Sequence, residues 1–286
     1  MTETLPLPLT PISKAQQTSL VNLVRRAAKT EILPRFRNLS AHQIATKSGP
    51  QDLVTEADEA AEAMIARGIL HLFPNAVVIG EEAAAKDPGL RQTAAQAELA
   101  FIIDPVDGTW NFAHGVPLFG VILAATRFGK PIFGLLYDPM VDDWVIADDQ
   151  SPTMIAGAGR APRPTTVSAG GALADLSGVI HFHLLPKDKQ AALAPVLPEF
   201  LRTGSMRCSC HEYRILAQGG VDFCLSGVLN PWDHAAGVLL CQQAGGHVRM
   251  LDGSEYHIGT EQGYLLAAAN AETWDRIATA LSPLTQ

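Results

Sequence analysis

Over residues 14–32 the apolar positions Leu20, Val24, Ala27 and Ala28 share one face of a helical repeat, which Pro34 ends. Ala57, Ala60, Ala61, Met64, Ile65 and Ile69 keep the same rhythm from about Thr55 until Pro74, predicting a second helix. Shorter apolar runs over 76–79, 99–103, 120–127 and 132–137 lack that rhythm and read as strands, with a turn at Gly129-Lys130-Pro131. Pro105 removes a ladder donor, so the second of these strands is expected to turn there. Further on, strands over 178–182, 221–225 and 264–269 alternate with helices over 187–194, 210–218, 233–244 and 272–281. Gly245-Gly246 closes the third of these helices. The Gly-, Pro- and Ala-rich stretch 148–164 reads as a boundary, dividing the chain into an N-terminal half, 1–150, and a C-terminal half, 151–286. The pattern is mixed α and β, without an internal repeat.

Acidic residues gather at the ends of these elements. Glu81 and Glu82 follow one apolar strand, and Asp104 and Asp107 follow another in Asp104-Pro105-Val106-Asp107-Gly108-Thr109. Asp58 falls in the first turn of the second helix, and Asp233 opens a later one after Asn230-Pro231-Trp232. Taken singly, Asp58 suits a helix dipole and Asp233 an N-cap. A turn, however, needs no second carboxylate at the end of a buried strand. Two acids there repel unless a cation lies between them. Carboxylates without His or Cys select hard ions, Mg²⁺ or Mn²⁺, over zinc. Two such ions about 4 Å apart suit in-line phosphoryl transfer to water. Gly108 would let the backbone approach a phosphate, and a helix beginning near Thr109 would aim free N–H groups at it.

Bulk properties narrow the partners. The 286 residues are 47% hydrophobic and carry a net charge of −8, which argues against nucleic acid or an anionic membrane as partner. No apolar stretch is long enough for a bilayer, and the start Met-Thr-Glu-Thr lacks the basic region of a signal peptide. Cys208, Cys210, Cys224 and Cys241 form no CxxC pair and read as free thiols of a reducing cytoplasm. Trp110 and Trp232 read as core.

Gly80-Glu81-Glu82, the run from Asp104 through Phe112 and on to Phe119, and Trp232-Asp-His-Ala-Ala-Gly237 resemble, in order, the signatures of the inositol monophosphatase family. This is a Mg²⁺-dependent, lithium-sensitive group of sugar phosphatases. The stretch from Lys47 to Asp58 resembles the family's N-terminal motif. The resemblance implies an α+β fold, a layered α-β-α-β-α sandwich, and hydrolysis of a small phosphorylated metabolite by a homodimer. It makes Glu81, Asp104 and the Val106 carbonyl ligands of one metal, with Asp104, Asp107 and Asp233 holding a second. A third, weaker ion would sit near Glu81. Thr109 with Asp58 would activate the water, Glu81 completing the catalytic set, and the N–H groups of Gly108 and Thr109 would hold phosphate. Lys47 matches a family lysine near the site, while His114 and His234 take no ligand role.

The match frays at substrate specificity. Seven residues before the metal aspartate, inositol-acting members carry a Glu; here Ser226 stands there, too short for the same grip. Ungapped counting puts Arg207-Cys208 at the family's small-residue pair, whereas Gly204-Ser205 lies three residues upstream, and both registers stand. Arg207 in that position would read a second anionic group. Histidinol phosphate, fructose bisphosphate and nucleotide 3′-phosphates are the alternative substrates. From another class comes a non-catalytic or moonlighting binding protein. A structural Ca²⁺ site lacks the spaced ligands of an EF-hand.

Overall fold

A computed structural model describes residues 11–40, 43–49 and 52–285, without the side chains of 47–49 and 52. The side chain of Lys47, expected near the site as a substrate-specificity residue, therefore lies outside what the structure describes. The first helix, α1 (Lys14–Ala27), starts on Ser13 in a reciprocal cap with Gln16, and a π-helical turn extends it to Ile32. A two-stranded hairpin, β1 (Ile44–Gly49) and β2 (Asp52–Thr55), leads straight into α2 (Glu56–Leu72).

The first large sheet has seven strands in sequence order. They are β3 (Val77–Gly80), β4 (Ala100–Asp107), β5 (Gly120–Arg127), β6 (Lys130–Asp138), β7 (Asp143–Asp148), β8 (Met154–Gly157) and β9 (Arg160–Pro164). Only β3 and β4 pair in parallel. Two short helices, α3 (Glu81–Lys86) and α4 (Gly89–Gln96), connect them. The stretch 148–164, read as a boundary, thus carries two strands of this sheet, and the passage to the second sheet falls at residues 165–176.

That second sheet has the order β11-β10-β12-β14-β13 and is built from β10 (Ser177–Ile180), β11 (Arg202–Gly204), β12 (Phe223–Ser226), β13 (His247–Met250) and β14 (Leu265–Ala268). Between them run α6 (Lys187–Leu193), α7 (Ser209–Leu216) and α8 (Pro231–Gln243), and α9 (Ala271–Ala280) follows β14; a single turn, α5 (Thr109–Ala113), follows β4.

Alternation within the strands sorts their side chains into layers. Phe101, Ile103, Leu123 and Leu135 face α1 and α2, joining Leu20, Val24, Ile65 and Ile69. Ile102, Ile122, Ala124 and Leu136 face the other way, packing with α7, α8 and the near face of the second sheet. The far face of that sheet meets α6 and α9 through Leu225, Leu266, Leu193 and Ile277. This is the expected α-β-α-β-α sandwich. Arg214 of α7 fastens the middle layer, donating to the Leu136 carbonyl and pairing with buried Asp143.

One expectation fails: β4 does not end at Pro105. Asp104 pairs with Ile122 and Asp107 with Gly120, so a bulge of one extra residue absorbs the proline and the strand continues. The missing N–H falls where pairing is already broken. The bulge also re-aims Asp104 and Asp107 relative to regular alternation.

Candidate metal and phosphate site

The N-terminus of α2 and the ends of β3 and β4 meet the start of α8 at one end of the middle layer. There Asp104, Asp107 and Asp233 each offer a carboxylate oxygen within 4.8 Å of the others'. Asp233 is the third residue of α8, whose first is Pro231, so it is not the N-cap. Its Oδ2 instead accepts from Asn230 Nδ2 at 3.1 Å. Asp107 Oδ2 accepts from the Cys208 thiol at 3.0 Å and from the Cys210 N–H, which tie the start of α7 to the cluster. The four cysteines are free, as expected, and all four are buried.

Asp58 is fully buried in the first turn of α2. Its Oδ2 accepts from the Thr55 N–H at 2.9 Å and the Thr55 hydroxyl at 2.6 Å, and its Oδ1 lies 3.3 Å from Thr109 Oγ1. Thr109 Oγ1 is also 3.0 Å from the Val106 carbonyl oxygen. Gly108, at φ +85°, is in the left-handed region, and a Cβ there would lie 3.0 Å from the Leu118 carbonyl oxygen. Only glycine makes that turn into α5.

Glu81 begins α3, and its position depends on a residue the sequence reading passed over. Glu62 is buried and accepts from the N–H groups of Glu82, at 2.8 Å, and Ala83, at 2.9 Å. Its carboxylate thereby caps α3. A Cβ on Gly80 would lie 2.1 Å from Glu62 Oε2, which explains the glycine before Glu81. The signal was present: Glu62 follows Asp58 by one helical turn, on the inward face.

These carboxyls raise one another. Burial, followed by the charges of Glu81, Asp107, Asp233 and Asp58, drives Asp104 well above the usual range. Burial also lifts Asp58 to about 7, Asp107 to about 7 and Asp233 to about 6. Asp104 Oδ1 is buried with no hydrogen-bond partner among the described residues. An all-oxygen donor set, mutual repulsion and an orphaned carboxylate oxygen fit a hard divalent cation.

Ser226 ends β12, beside His181. It is buried; its hydroxyl donates to the Val228 carbonyl at 2.9 Å and accepts from the Val228 N–H. His181 Nδ1 lies 3.2 Å from Ser226 Oγ, and His181 Nε2 lies 2.6 Å from Glu212 Oε2. The one Ser226 proton is committed and a carboxylate only accepts, so both ring nitrogens donate. Burial opposes that charge, but Glu212 outweighs it and raises His181 above its ordinary value. Glu212 Oε1 in turn accepts from the Ser205 hydroxyl at 3.0 Å and the Met206 N–H at 2.6 Å.

Cys208 is the N-cap of α7 and Gly204 ends β11, so Arg207-Cys208 immediately precedes the helix and Gly204-Ser205 lies further back. Trp110 is not core. It is half-buried, with the Arg207 guanidinium 4.0 Å from its ring centroid and His114 stacked on it, also at 4.0 Å. Trp232 is partly buried against the core, as expected. His234 is buried between the Tyr213 hydroxyl and the Val228 carbonyl, and burial lowers it to about 4. Among the described residues no helix is long and apolar enough to cross a membrane.

Comparisons with known proteins bear on the family and the fold. The model of the inositol monophosphatase family matches residues 14–286. A "Nus factor SuhB" of Escherichia coli is 30% identical over 254 residues, 84% of this chain and 88% of that protein. A "fructose-1,6-bisphosphatase/inositol-1-monophosphatase" of Thermotoga maritima is 28% identical, covering 74% of this chain and 77% of its own length. Among solved structures, a Thermotoga maritima IMPase superposes with a TM-score of 0.79 over 95% of this chain and 98% of that one, at 23% identity.

Proposed function

The chain belongs to the inositol monophosphatase family and is a phosphomonoester hydrolase; from that premise we propose that it hydrolyses a small sugar or polyol phosphate with Mg²⁺ held by its acidic cluster. The observation that carries the metal is the convergence of Asp104, Asp107 and Asp233 within 4.8 Å, with Asp104 Oδ1 left without a partner among the described residues. Glu81, Asp104 and the Val106 carbonyl would hold one ion, and Asp104, Asp107 and Asp233 a second. Mn²⁺ suits the same oxygen set. Bound there, the metal supplies positive charge against the phosphate and acidifies water.

The protein's own groups do the rest. The N–H groups of Gly108 and Thr109 stand at the start of α5, where no carbonyl of that helix uses them, and receive the phosphate. Thr109 Oγ1 orients the attacking water, taking its proton while passing its own to Asp58 Oδ1, 3.3 Å away. Asp58, lifted to about 7 by burial, is matched to accept a proton near neutrality, and Thr55 holds its other oxygen. The test is phosphate release from a panel of phosphomonoesters with Mg²⁺, and its loss on chelation by EDTA.

A further inference from the structure

Hydrogen bonds among Glu212, His181, Ser226, Val228, His234 and Tyr213 close a circuit between α7 and α8. His181 Nε2 donates to Glu212 Oε2 of α7 at 2.6 Å, and His181 Nδ1 to Ser226 Oγ at 3.2 Å. The Ser226 hydroxyl donates to the Val228 carbonyl at 2.9 Å, which also accepts from His234 Nε2 of α8 at 2.7 Å. His234 Nδ1 accepts in turn from the hydroxyl of Tyr213, 3.1 Å away, the neighbour of Glu212 on α7. The protons are consistent all the way round. A carbonyl only accepts, so His234 donates through Nε2 and is left neutral, with Nδ1 to receive Tyr213. His181 donates from both nitrogens and is charged; the two rings shift in opposite directions accordingly. Glu212, Tyr213, Ser226 and His234 are buried, and a buried network with every member paired is rigid.

Each end of the circuit stands beside a carboxylate of the acidic cluster. At the start of α7 the Cys208 thiol and the Cys210 N–H hold Asp107 Oδ2. Glu212 fastens the approach to that start, its Oε1 accepting from the Ser205 hydroxyl at 3.0 Å and the Met206 N–H at 2.6 Å. At the start of α8, His234 is the residue after Asp233. Asp107 and Asp233 come from different elements, β4 and α8, and each charge raises the other's surroundings against a second negative one. Before a cation arrives such a pair repels and tends to splay. Tying α7 to α8 resists that movement. We propose that this circuit, with His181 as its central joint, sets the spacing of Asp107 and Asp233 for the metal they share. His181 and Glu212 are then positioning residues of the enzyme, acting on the metal through the elements that carry its ligands.

This rests on the metal-dependent reading, and the test tells the two apart. Binding of Mn²⁺ to EDTA-treated protein is followed by electron paramagnetic resonance, and the binding step lost in Asp233→Asn marks the site in question. His181→Leu removes the joint and should weaken that step roughly 10- to 100-fold, the range found when groups that orient metal ligands are lost. Charge alone predicts the opposite, because deleting a cation beside acidic ligands favours a bound metal. His181→Leu combined with Glu212→Gln leaves no lone buried charge, so it serves if the single variant folds poorly, and it should weaken the step as much. Glu212→Gln by itself should bind close to the parent, since its amide oxygen serves Ser205 and Met206 while its N–H meets a neutral His181. Parental or tighter Mn²⁺ binding in both His181→Leu proteins overturns the proposal, as does Glu212→Gln binding as weakly as His181→Leu. A parent that binds no Mn²⁺ overturns the metal reading, and the proposal with it.

Discussion

Gly80→Ala offers a test of how Glu81 is placed. Gly80 has an extended backbone, φ −119° and ψ 169°, open to any residue, so the glycine is there for space alone. The new Cβ would lie 2.1 Å from Glu62 Oε2 and 2.6 Å from Glu62 Cγ. Ordinary contact begins near 3.5 Å, so the Glu62 side chain must retreat by roughly 1.4 Å and release the N–H groups of Glu82 and Ala83. Each bond from an N–H to a carboxylate is worth about 1.5–3 kcal/mol, which puts the loss of two at roughly 3–6 kcal/mol in urea unfolding. Phosphatase kcat should fall as well, because α3 is then free to shift Glu81. The decisive comparison is Gly80→Ala on a Glu62→Ala background. There the obstacle is gone, and the second substitution should cost less than about 1 kcal/mol. Equal costs in the two backgrounds would refute the reasoning.

Thr109→Val keeps the side chain's shape but removes the hydroxyl that links water to Asp58; kcat should drop about 100- to 10,000-fold with unfolding behaviour nearly unchanged. A kcat equal to the parent's would remove Thr109 from the reaction. At the far side of the first sheet, Asp142 accepts from Arg25 at 2.7 Å, from Lys29 at 3.1 Å and from the Tyr137 hydroxyl at 3.0 Å, and the Arg25 bond holds its carboxyl well below the usual range. A depressed carboxylate stabilises the fold above its unfolded value near 4 and loses that contribution as the pH falls through the folded one. Asp142→Asn should therefore cost about 1–2 kcal/mol at pH 7 and nothing in strong acid, read from urea melts across pH. A cost independent of pH would contradict it.

Periodicity made the long elements legible, since α1, α2, β5 and α8 each bury a continuous face. It did not reveal β8, a strand of four residues, nor β9 and the hairpin from Ile44 to Thr55, which are rich in polar residues, glycine and proline. The carboxylates stood out because acids at the ends of apolar strands have no other physical reason to be there. Their supports stood out less: Glu62 shares the inward face of α2 with Asp58, but its bonds to α3, like those of Cys208 to Asp107, join residues far apart in sequence. Pro105 misled for a related reason. Its missing donor rules out a regular strand but not a bulge, and only the pairing of β4 with β5 tells the two apart. Counting put Ser226 where inositol-acting members carry a Glu, and its burial against His181 became visible only in three dimensions.

The claim at the centre is that the buried carboxylates around Asp104 hold the cation on which hydrolysis depends. The measurement is phosphate release from a phosphomonoester panel by EDTA-treated protein, with and without restored Mg²⁺, for the parent and for Asp104→Asn. Activity should vanish on chelation and return with Mg²⁺ in the parent. Asp104→Asn should stay inactive at every Mg²⁺ concentration while melting no lower than the metal-free parent, since it relieves the repulsion that burial and four neighbouring carboxylates impose. Undiminished release in EDTA, or an Asp104→Asn enzyme with parental kcat, would contradict the claim.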